Sequence, residues 1–280
     1  MKKNNKGEDI NALCSVFNSI TDFDAYLQGK EMTPKYKTHP QSIWGTSDFC
    51  KTETYEEAHQ KLMFGDADLQ KKIEEAGVNQ TKMKLRKMQN RRVVYPSVVG
   101  FAPHVPNYIA GVPTSMINAR TKKIRQKIVN VFYDFGAALD VKADEILNVA
   151  ARFVSACMMI EAGGVRLNIY TGRAASNSEG RKKEINLFSI KIKESGQQFD
   201  TLKMVYPLVH PSMLRRTVCR YMEVTEGLDN FQSGYGRIYL FNREDADKVI
   251  KKTTKAEVIL SFYKCRYMTV EDIIKAIEKQ

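Results

Sequence analysis

Residues 127–172 decide the fold of this chain, and they read KIVNVFYDFGAALDVKADEILNVAARFVSACMMIEAGGVRLNIYTG. Branched and aromatic residues over Ile128–Tyr133 predict a β-strand. Asp140 is placed to cap a helix whose apolar residues recur at helical spacing as far as the glycine pair that begins at Gly163. Val165–Tyr170 predicts a second strand. A strand, a helix and a strand of these lengths form a parallel βαβ unit that the helix covers.

The rest of the C-terminal part continues this alternation. Ile185–Lys193 alternates and follows a short polar turn, which predicts a strand antiparallel to the one before it. Two helical segments follow between residues 199 and 223, then a strand over Arg237–Phe241 and a helix from Arg243 to about residue 252. A strand at 257–263 and an amphipathic helix at 268–277 complete the order. The order predicts an α/β fold, a three-layer sandwich around a mostly parallel sheet containing one antiparallel strand.

The N-terminal part predicts a mainly helical extension. Residues 1–12 are polar and are expected to fray, and Ala12–Leu27 shows a helical pattern. Thr54 and Glu57 form a capping box at the start of a further helix, followed by one at 68–76. Pro96 interrupts a strand pattern that begins at Arg92, which indicates an edge strand or two short pieces. We therefore predict two segments, a helical and basic extension at 1–115 and an α/β domain at 116–280.

The charge of the chain is concentrated in one segment. The net charge is +12, from 44 Lys and Arg against 32 Asp and Glu. Residues 77–133 contain no acidic residue but hold 11 of the 44 basic ones, which leaves 33 basic against 32 acidic elsewhere. Such a focused field attracts polyanions or acidic protein surfaces, whereas short basic runs also occur as solvated helix faces. The predicted anion-binding residues are Lys82, Lys84, Arg86, Lys87, Arg91, Arg92, Arg120, Lys122, Lys123 and Arg125. Residues 81–92 fit a helix or a strand equally well.

Three aromatic residues lie in the same acid-free segment. Tyr95, Phe101 and Tyr108 are available to stack on unpaired bases, in the manner of proteins that bind single-stranded nucleic acids. The alternative is that they are core or connector aromatics, an interpretation that we favour for Phe101. Nucleic acid and acidic protein therefore both stay open as partners.

The element order from residue 127 onward resembles that of the von Willebrand factor A (VWA) domain, including the antiparallel strand after the first crossover. VWA domains usually bind proteins through a metal held by a DxSxS motif after the first strand. A threonine and an aspartate from later loops complete that site. In this chain the motif stands as Asp134-Phe-Gly-Ala-Ala138, so the aspartate matches and both serines are absent. Asn242 stands where the second aspartate is expected.

The resemblance implies a degenerate metal site. If a metal were held, its ligands would be Asp134, Thr201 and Asp245. Mg²⁺ requires several oxygen ligands in near-octahedral geometry, and glycine and alanine side chains provide none. We therefore expect no cofactor, with Mg²⁺ disfavoured, and interpret Asp134 as a strand-end carboxylate that accepts hydrogen bonds from the following turn.

The N-terminal part resembles a family of uncharacterised proteins common in phage genomes, in which such a segment precedes a VWA-like domain. The residues that carry this resemblance are Ile43-Trp-Gly-Thr-Ser, Glu56-Glu-Ala and Val105-Pro-Asn-Tyr-Ile-Ala-Gly-Val-Pro113. It implies a phage origin and no particular activity. A phage protein of this kind would serve in particle assembly or would bind a host protein.

No motif of the sequence indicates catalysis. The chain has no HExxH, GxSxG, Walker A or GxGxxG pattern, and its five cysteines lack metal-ligand spacing. No apolar run reaches the roughly 18 residues that a membrane helix requires. We therefore predict a non-enzymatic binding protein of the cytoplasm, in the host cell if it is phage-encoded, with an anionic partner. The alternatives are a protein–protein adaptor, virion component or host-protein inhibitor without a nucleic-acid role and, less favoured, a metal-dependent enzyme.

Overall fold

The computed structural model describes residues 2–3, 9–38, 40–44, 47–78, 91–122, 126–137, 141–177, 183–228 and 243–279. Within these residues the chain is a mixed α/β protein with two sheets. The main sheet has the strand order β1-β2-β8-β7-β6-β9, and the small sheet has the order β3-β5-β4. The strands are β1 (Lys2–Lys3), β2 (Asp9–Phe17), β3 (Arg91–Ser97), β4 (Ala102–Pro103), β5 (Met116–Lys122), β6 (Ile128–Asp134), β7 (Arg166–Asn177), β8 (Lys183–Lys193) and β9 (Val258–Ser261).

Helices precede, connect and follow these strands. They are α1 (Ile20–Gln28), α2 (Gln41–Trp44), α3 (Ser47–Cys50), α4 (Tyr55–Phe64), α5 (Ala67–Val78), α6 (Val105–Ile109), α7 (Ala143–Ala162), α8 (Thr201–Val209), a π-helical turn (Met213–Thr217), α9 (Val218–Val224), α10 (Arg243–Thr254), α11 (Phe262–Cys265) and α12 (Val270–Glu278).

The predicted βαβ unit is confirmed as β6, α7 and β7. Strands β6 and β7 are parallel, in a register that runs from the Ile128–Arg166 pair to the Asp134–Gly172 pair. The start of the helix differs from the prediction, because Lys142 occupies the N-cap position of α7 without a side-chain hydrogen bond. Asp140, the predicted cap, lies outside the described residues.

The main sheet is mostly parallel with one long antiparallel pair, and the antiparallel direction of β8 was predicted. Because β2 pairs in parallel with β8, two strands run opposite to β6, β7 and β9, where the sequence predicted one. Strand β8 is antiparallel to β7, whereas β9 is parallel to β6 on its other side. The two-residue strand β1 adds a short antiparallel pairing at the edge. The strand predicted over Arg237–Phe241 lies outside the described residues.

Strand β2 corrects the prediction for the N-terminus. Asp9–Phe17 is a strand rather than a frayed end and the beginning of a helix, and it pairs in parallel with β8. The helix begins only at Ile20, where the Ser19 hydroxyl accepts from the backbone N–H of Asp22. The apolar residues of 12–27 fit helical spacing, but pairing with a strand about 170 residues away overrides that local preference.

The main sheet carries an apolar cluster on each face. Val129, Val131 and Tyr133 of β6 belong to a large cluster that also contains apolar residues of α7, α8 and α12. The neighbouring Phe132 belongs to a smaller cluster with Ala246 and Ile250 of α10. Since successive strand residues point to opposite faces, helices cover both sides of β6.

Elements before residue 116 share the large cluster with the C-terminal part. Phe23 of α1, Leu62 of α4 and Ile73 of α5 are buried members of it. The division into segments 1–115 and 116–280 stays a prediction. In the structure, residues of both segments contribute to one apolar cluster.

A buried charge network holds the loop around α2 and α3. Arg216, fully buried in the π-helical turn, donates to the backbone carbonyls of Ser42, Ile43, Thr52 and Glu53 at 2.8–3.1 Å. Glu223 accepts from the backbone N–H of Ser42 at 2.8 Å. Such satisfied buried networks specify one arrangement of a segment. None of the helices in the described part of the chain combines the length and the apolar character needed to cross a bilayer.

Candidate functional site

Asp134 lies buried at the carboxyl end of β6, beside the first residue of α10. Its Oδ2 atom accepts a hydrogen bond from Arg243 Nη1 at 2.6 Å, and its Oδ1 atom accepts from the Gly136 backbone N–H at 3.1 Å. Arg243 Nε also lies 2.9 Å from Asp247 Oδ1. Both carboxylate oxygens of Asp134 are therefore engaged by the protein itself, one of them by the following turn, as expected for a strand-end carboxylate.

The ionisation of this pair follows from its surroundings. Burial raises the pKa of the Asp134 carboxyl above its ordinary value, and the Arg243 guanidinium opposes that rise. Burial also acts to lower the pKa of Arg243, but Asp134 and Asp247 outweigh it, so the pKa of Arg243 is raised. A guanidinium with a raised pKa is protonated at neutral pH. The positive charge that faces Asp134 is thus the guanidinium of Arg243.

The three predicted metal ligands are each engaged by other groups of the protein. Thr201 Oγ1 accepts a hydrogen bond from Gln70 Nε2 at 3.1 Å. Asp245 is buried, and its Oδ1 atom lies 3.2 Å from Lys248 Nζ. Each of the three predicted ligands therefore meets a different protein partner, while Mg²⁺ requires several free oxygens in octahedral geometry. Among the residues that the structure describes, no three His, Cys, Asp or Glu side chains gather as a metal site requires.

The predicted anion-binding residues divide between described and undescribed parts of the chain. Lys82, Lys84, Arg86, Lys87, Lys123 and Arg125 lie outside the described residues. Arg91 and Arg92 lie on β3, and Arg120 and Lys122 lie on β5. The antiparallel register pairs Arg91 with Lys122 and Val93 with Arg120, which brings these four positions to the same end of the small sheet.

Residues 91–122, which we call the arm, comprise β3, β4, α6 and β5. Strand β3 has a strand neighbour on one side only in the described structure, so Pro96 lies on an edge strand, as predicted. Arg120 is exposed, and its guanidinium carbon lies 5.4 Å from the centroid of the Tyr95 ring. A cation–π contact of this kind holds a positive charge at the surface of the sheet.

The arm displays its apolar side chains to solvent. Phe101 is 64% exposed and Ile109 is 79% exposed. Of the two roles considered for Phe101, a core position is therefore wrong, whereas a position in a connector is retained, because Phe101 lies between β3 and β4. No described residue of the arm belongs to either apolar cluster. The exposed large apolar residues of the arm are Val94, Val98, Val99, Phe101, Val105, Tyr108, Ile109 and Val112.

Hydrogen bonds fix the backbone of the arm between Val99 and Asn118. Asn118 Nδ2 donates to the Val99 carbonyl at 3.0 Å, and Asn107 Nδ2 donates to the Thr114 carbonyl at 2.8 Å. His104 Nδ1 accepts from the Asn107 backbone N–H at 3.3 Å and so caps α6. These contacts define the backbone although the neighbouring apolar side chains point outward.

Gly100 is required where the chain crosses β5. A Cβ atom at this position would lie 2.1 Å from the Ile117 carbonyl oxygen. This close approach lets the Phe101 N–H donate to the Ile117 carbonyl at 2.9 Å and brings β4 to the other side of β5. The pairing of β4 with β5 therefore requires a residue without a Cβ atom at position 100.

Sequence reasoning missed two functional features. Arg243 was predicted only as the start of a helix, because no local signal links it to Asp134, 109 residues away. The exposure of Val98 and Val99 was missed because valine in a strand-like pattern usually indicates burial. The lack of acidic residues around them was the available signal.

The chain belongs to the family described as a domain of unknown function (DUF7192), whose model matches residues 2–279. No curated protein and no solved structure matches the chain.

Proposed function

We propose that this chain is a non-enzymatic binding protein that recognises an anionic partner through the acid-free segment 77–133, which contains the arm. One observation carries the proposal: this segment holds the excess positive charge of the chain, and the arm inside it exposes large apolar side chains and adds none of its described residues to the core clusters. A surface of one sign attracts partners of the opposite sign and accelerates their association.

A VWA-like, three-layer arrangement of the C-terminal part belongs to this proposal. It is supported by the β6–α7–β7 unit, by the antiparallel β8 that follows it and by apolar clusters on both faces of β6. In such a domain the Asp134–Arg243 ion pair would stand where relatives hold their metal. Recognition would then use side chains alone, with no cofactor.

Two classes of anion are compatible with the arm. Exposed Phe101 and Tyr108 are compatible with unpaired nucleic acid, because every base has a face that stacks on an aromatic ring. The excess charge equally favours an acidic protein, including an adaptor or assembly partner of a phage protein. The proposal retains a cytoplasmic location.

The test is a salt series with single-stranded DNA, single-stranded RNA, duplex DNA and poly-glutamate as probes. If six to ten basic residues contact one phosphate backbone, nucleic-acid affinity falls roughly 10³–10⁵-fold between about 50 and 200 mM salt. We expect the combined changes Lys82→Gln, Lys84→Gln, Arg86→Gln and Lys87→Gln to abolish binding and to leave the unfolding midpoint unchanged.

A matched control removes four exposed lysines from the C-terminal part, by Lys251→Gln, Lys252→Gln, Lys264→Gln and Lys275→Gln. This variant should bind like the wild type. Absence of binding to all four probes at low salt would contradict the proposal. Unchanged binding after the four changes at 82–87 and after Lys122→Gln, Lys123→Gln and Arg125→Gln would also contradict it.

A further inference from the structure

Exposed apolar side chains are concentrated at one end of the arm, residues 98–112, whereas its basic positions lie at the other end. Seven of its side chains are large, apolar and exposed: Val98, Val99, Phe101, Val105, Tyr108, Ile109 and Val112. The basic positions of the arm lie at its other end, around the Arg91–Lys122 pair. From Arg92 to Ser97 the strand extends for about 17 Å, at roughly 3.3 Å per residue. We call residues 98–112 the tip and the other end the base.

We infer that the tip inserts into an apolar depression on an acidic protein, whose carboxylates face the base of the arm. This inference rests on the proposed function and names the class of its partner. It assigns affinity to the tip and steering to the base, which is the division found in interfaces with an apolar centre and a charged rim.

The composition of the tip distinguishes a protein partner from a nucleic acid. Five of its seven exposed apolar side chains are valine or isoleucine, and only Phe101 and Tyr108 have rings that stack on bases. Nucleic-acid interfaces are more polar and far more positively charged than protein interfaces. Large apolar side chains exposed within one short segment instead indicate a site of protein association.

The tip is also preorganised for insertion. Asn118 holds the Val99 carbonyl, Asn107 holds the Thr114 carbonyl, and the His104 N–H donates to the Ser115 carbonyl at 2.7 Å. These hydrogen bonds hold the backbone of the tip in one conformation. A surface that is ordered before binding loses less conformational entropy when it binds, which increases affinity.

A second copy of the chain is a poor occupant for the tip. Residues 77–133 contain no carboxylate, so two arms brought together would face each other with charge of the same sign. Like-charge contacts oppose association, whereas an acidic rim complements the base. The charge distribution thus opposes the pairing of two arms and favours an acidic surface as the partner of the base.

The test compares three anionic probes. They are a synthetic amphipathic peptide with leucines on one helical face and glutamates on the other, poly-glutamate of equal charge, and oligo-dT of equal length. We expect the wild type to bind the amphipathic peptide at least about tenfold more tightly than poly-glutamate. The variant Val99→Ser/Ile109→Ser should lose about tenfold or more in affinity for the amphipathic peptide only, as for buried anchors of interfaces.

Further variants separate the possible outcomes. Phe64→Ser/Tyr267→Ser removes apolar side chains that are 74% and 82% exposed outside the arm, and it should leave all affinities unchanged. Phe101→Ser/Tyr108→Ser should weaken binding of the amphipathic peptide and leave oligo-dT binding unchanged.

Two results would overturn the inference alone: equal affinity of the wild type for the amphipathic peptide and poly-glutamate, or unchanged peptide affinity after Val99→Ser/Ile109→Ser. Loss of oligo-dT binding in Phe101→Ser/Tyr108→Ser, with peptide binding retained, would assign the tip to nucleic acid. If no anion binds at low salt, the proposed function fails as well.

Discussion

The main sheet with the helices that cover it, which we call the body, and the arm use the same residue types in opposite ways. In the body, Phe153 of α7 is fully buried and stacks on Tyr133 with ring centroids 4.4 Å apart. In the arm, Phe101 is 64% exposed and its backbone is held by a hydrogen bond to Ile117. Apolar side chains stabilise the body by leaving water, whereas those of the arm stay in water. The proposed binding role of the arm rests on this difference.

The largest expected effect compares these two phenylalanines directly. Phe153→Ala removes a buried ring and leaves a cavity, so we expect it to reduce the free energy of unfolding by about 3–5 kcal/mol. Phe101→Ala removes an exposed ring and should change it by less than about 0.5 kcal/mol. Urea unfolding of both variants measures the difference. A loss of several kcal/mol from Phe101→Ala would show that the arm belongs to the core.

A second prediction uses a histidine buried in the body. His210 accepts from the Ser212 N–H at 3.1 Å and lies 3.7 Å from Asp66. Burial lowers the pKa of His210 to about 4, with Lys61 acting in the same direction and Asp66 opposing it. Between pH 6.5 and 4 the unfolded chain binds a proton at this histidine that the folded chain does not bind. The free energy of unfolding therefore decreases as the pH is lowered, by roughly 3 kcal/mol at pH 4.

His210→Asn keeps an acceptor for the Ser212 N–H and removes the titration. We expect urea unfolding of this variant to lose the His210 contribution to the fall in stability between pH 6.5 and 4. If His210→Asn follows the wild-type curve, the decline originates in other groups of the body.

The smallest effect on overall stability is expected from Gly100→Ala. The added methyl group would collide with the Ile117 carbonyl and displace β4 from β5. We expect hydrogen-exchange protection of the Phe101 and His104 amides to fall about tenfold or more, which corresponds to about 1.4 kcal/mol of local opening. The unfolding midpoint of the body should stay unchanged.

Gly196→Ala is the control for this change, because its added methyl group meets no atom within 4 Å. It should leave exchange in the arm at the wild-type rate. A joint loss of arm protection and body stability in Gly100→Ala would mean that the two regions unfold as one unit.

Local patterns were sufficient to predict much of the main sheet. Apolar periodicity and the glycine stop predicted the order of β6, α7 and β7, and a short polar turn predicted the antiparallel β8. The pattern failed at β2, because Leu13, Val16 and Phe17 also fit helical spacing. Only the distant β8 supplies the backbone partners that make this segment a strand. At the candidate metal site, the absence of the two serines could be recognised from the sequence, whereas the contact of Arg243 with Asp134 could not.

By itself the sequence determined which elements form the central βαβ unit and where the positive charge concentrates, because periodicity and charge are properties of neighbouring residues. Tertiary structure decided which surfaces those elements present. The exposed valines of the arm and the buried Arg216 both contradict their usual tendencies. Burial depends on contacts between distant segments, and for Arg216 those contacts are carbonyls about 165–175 residues earlier in the chain.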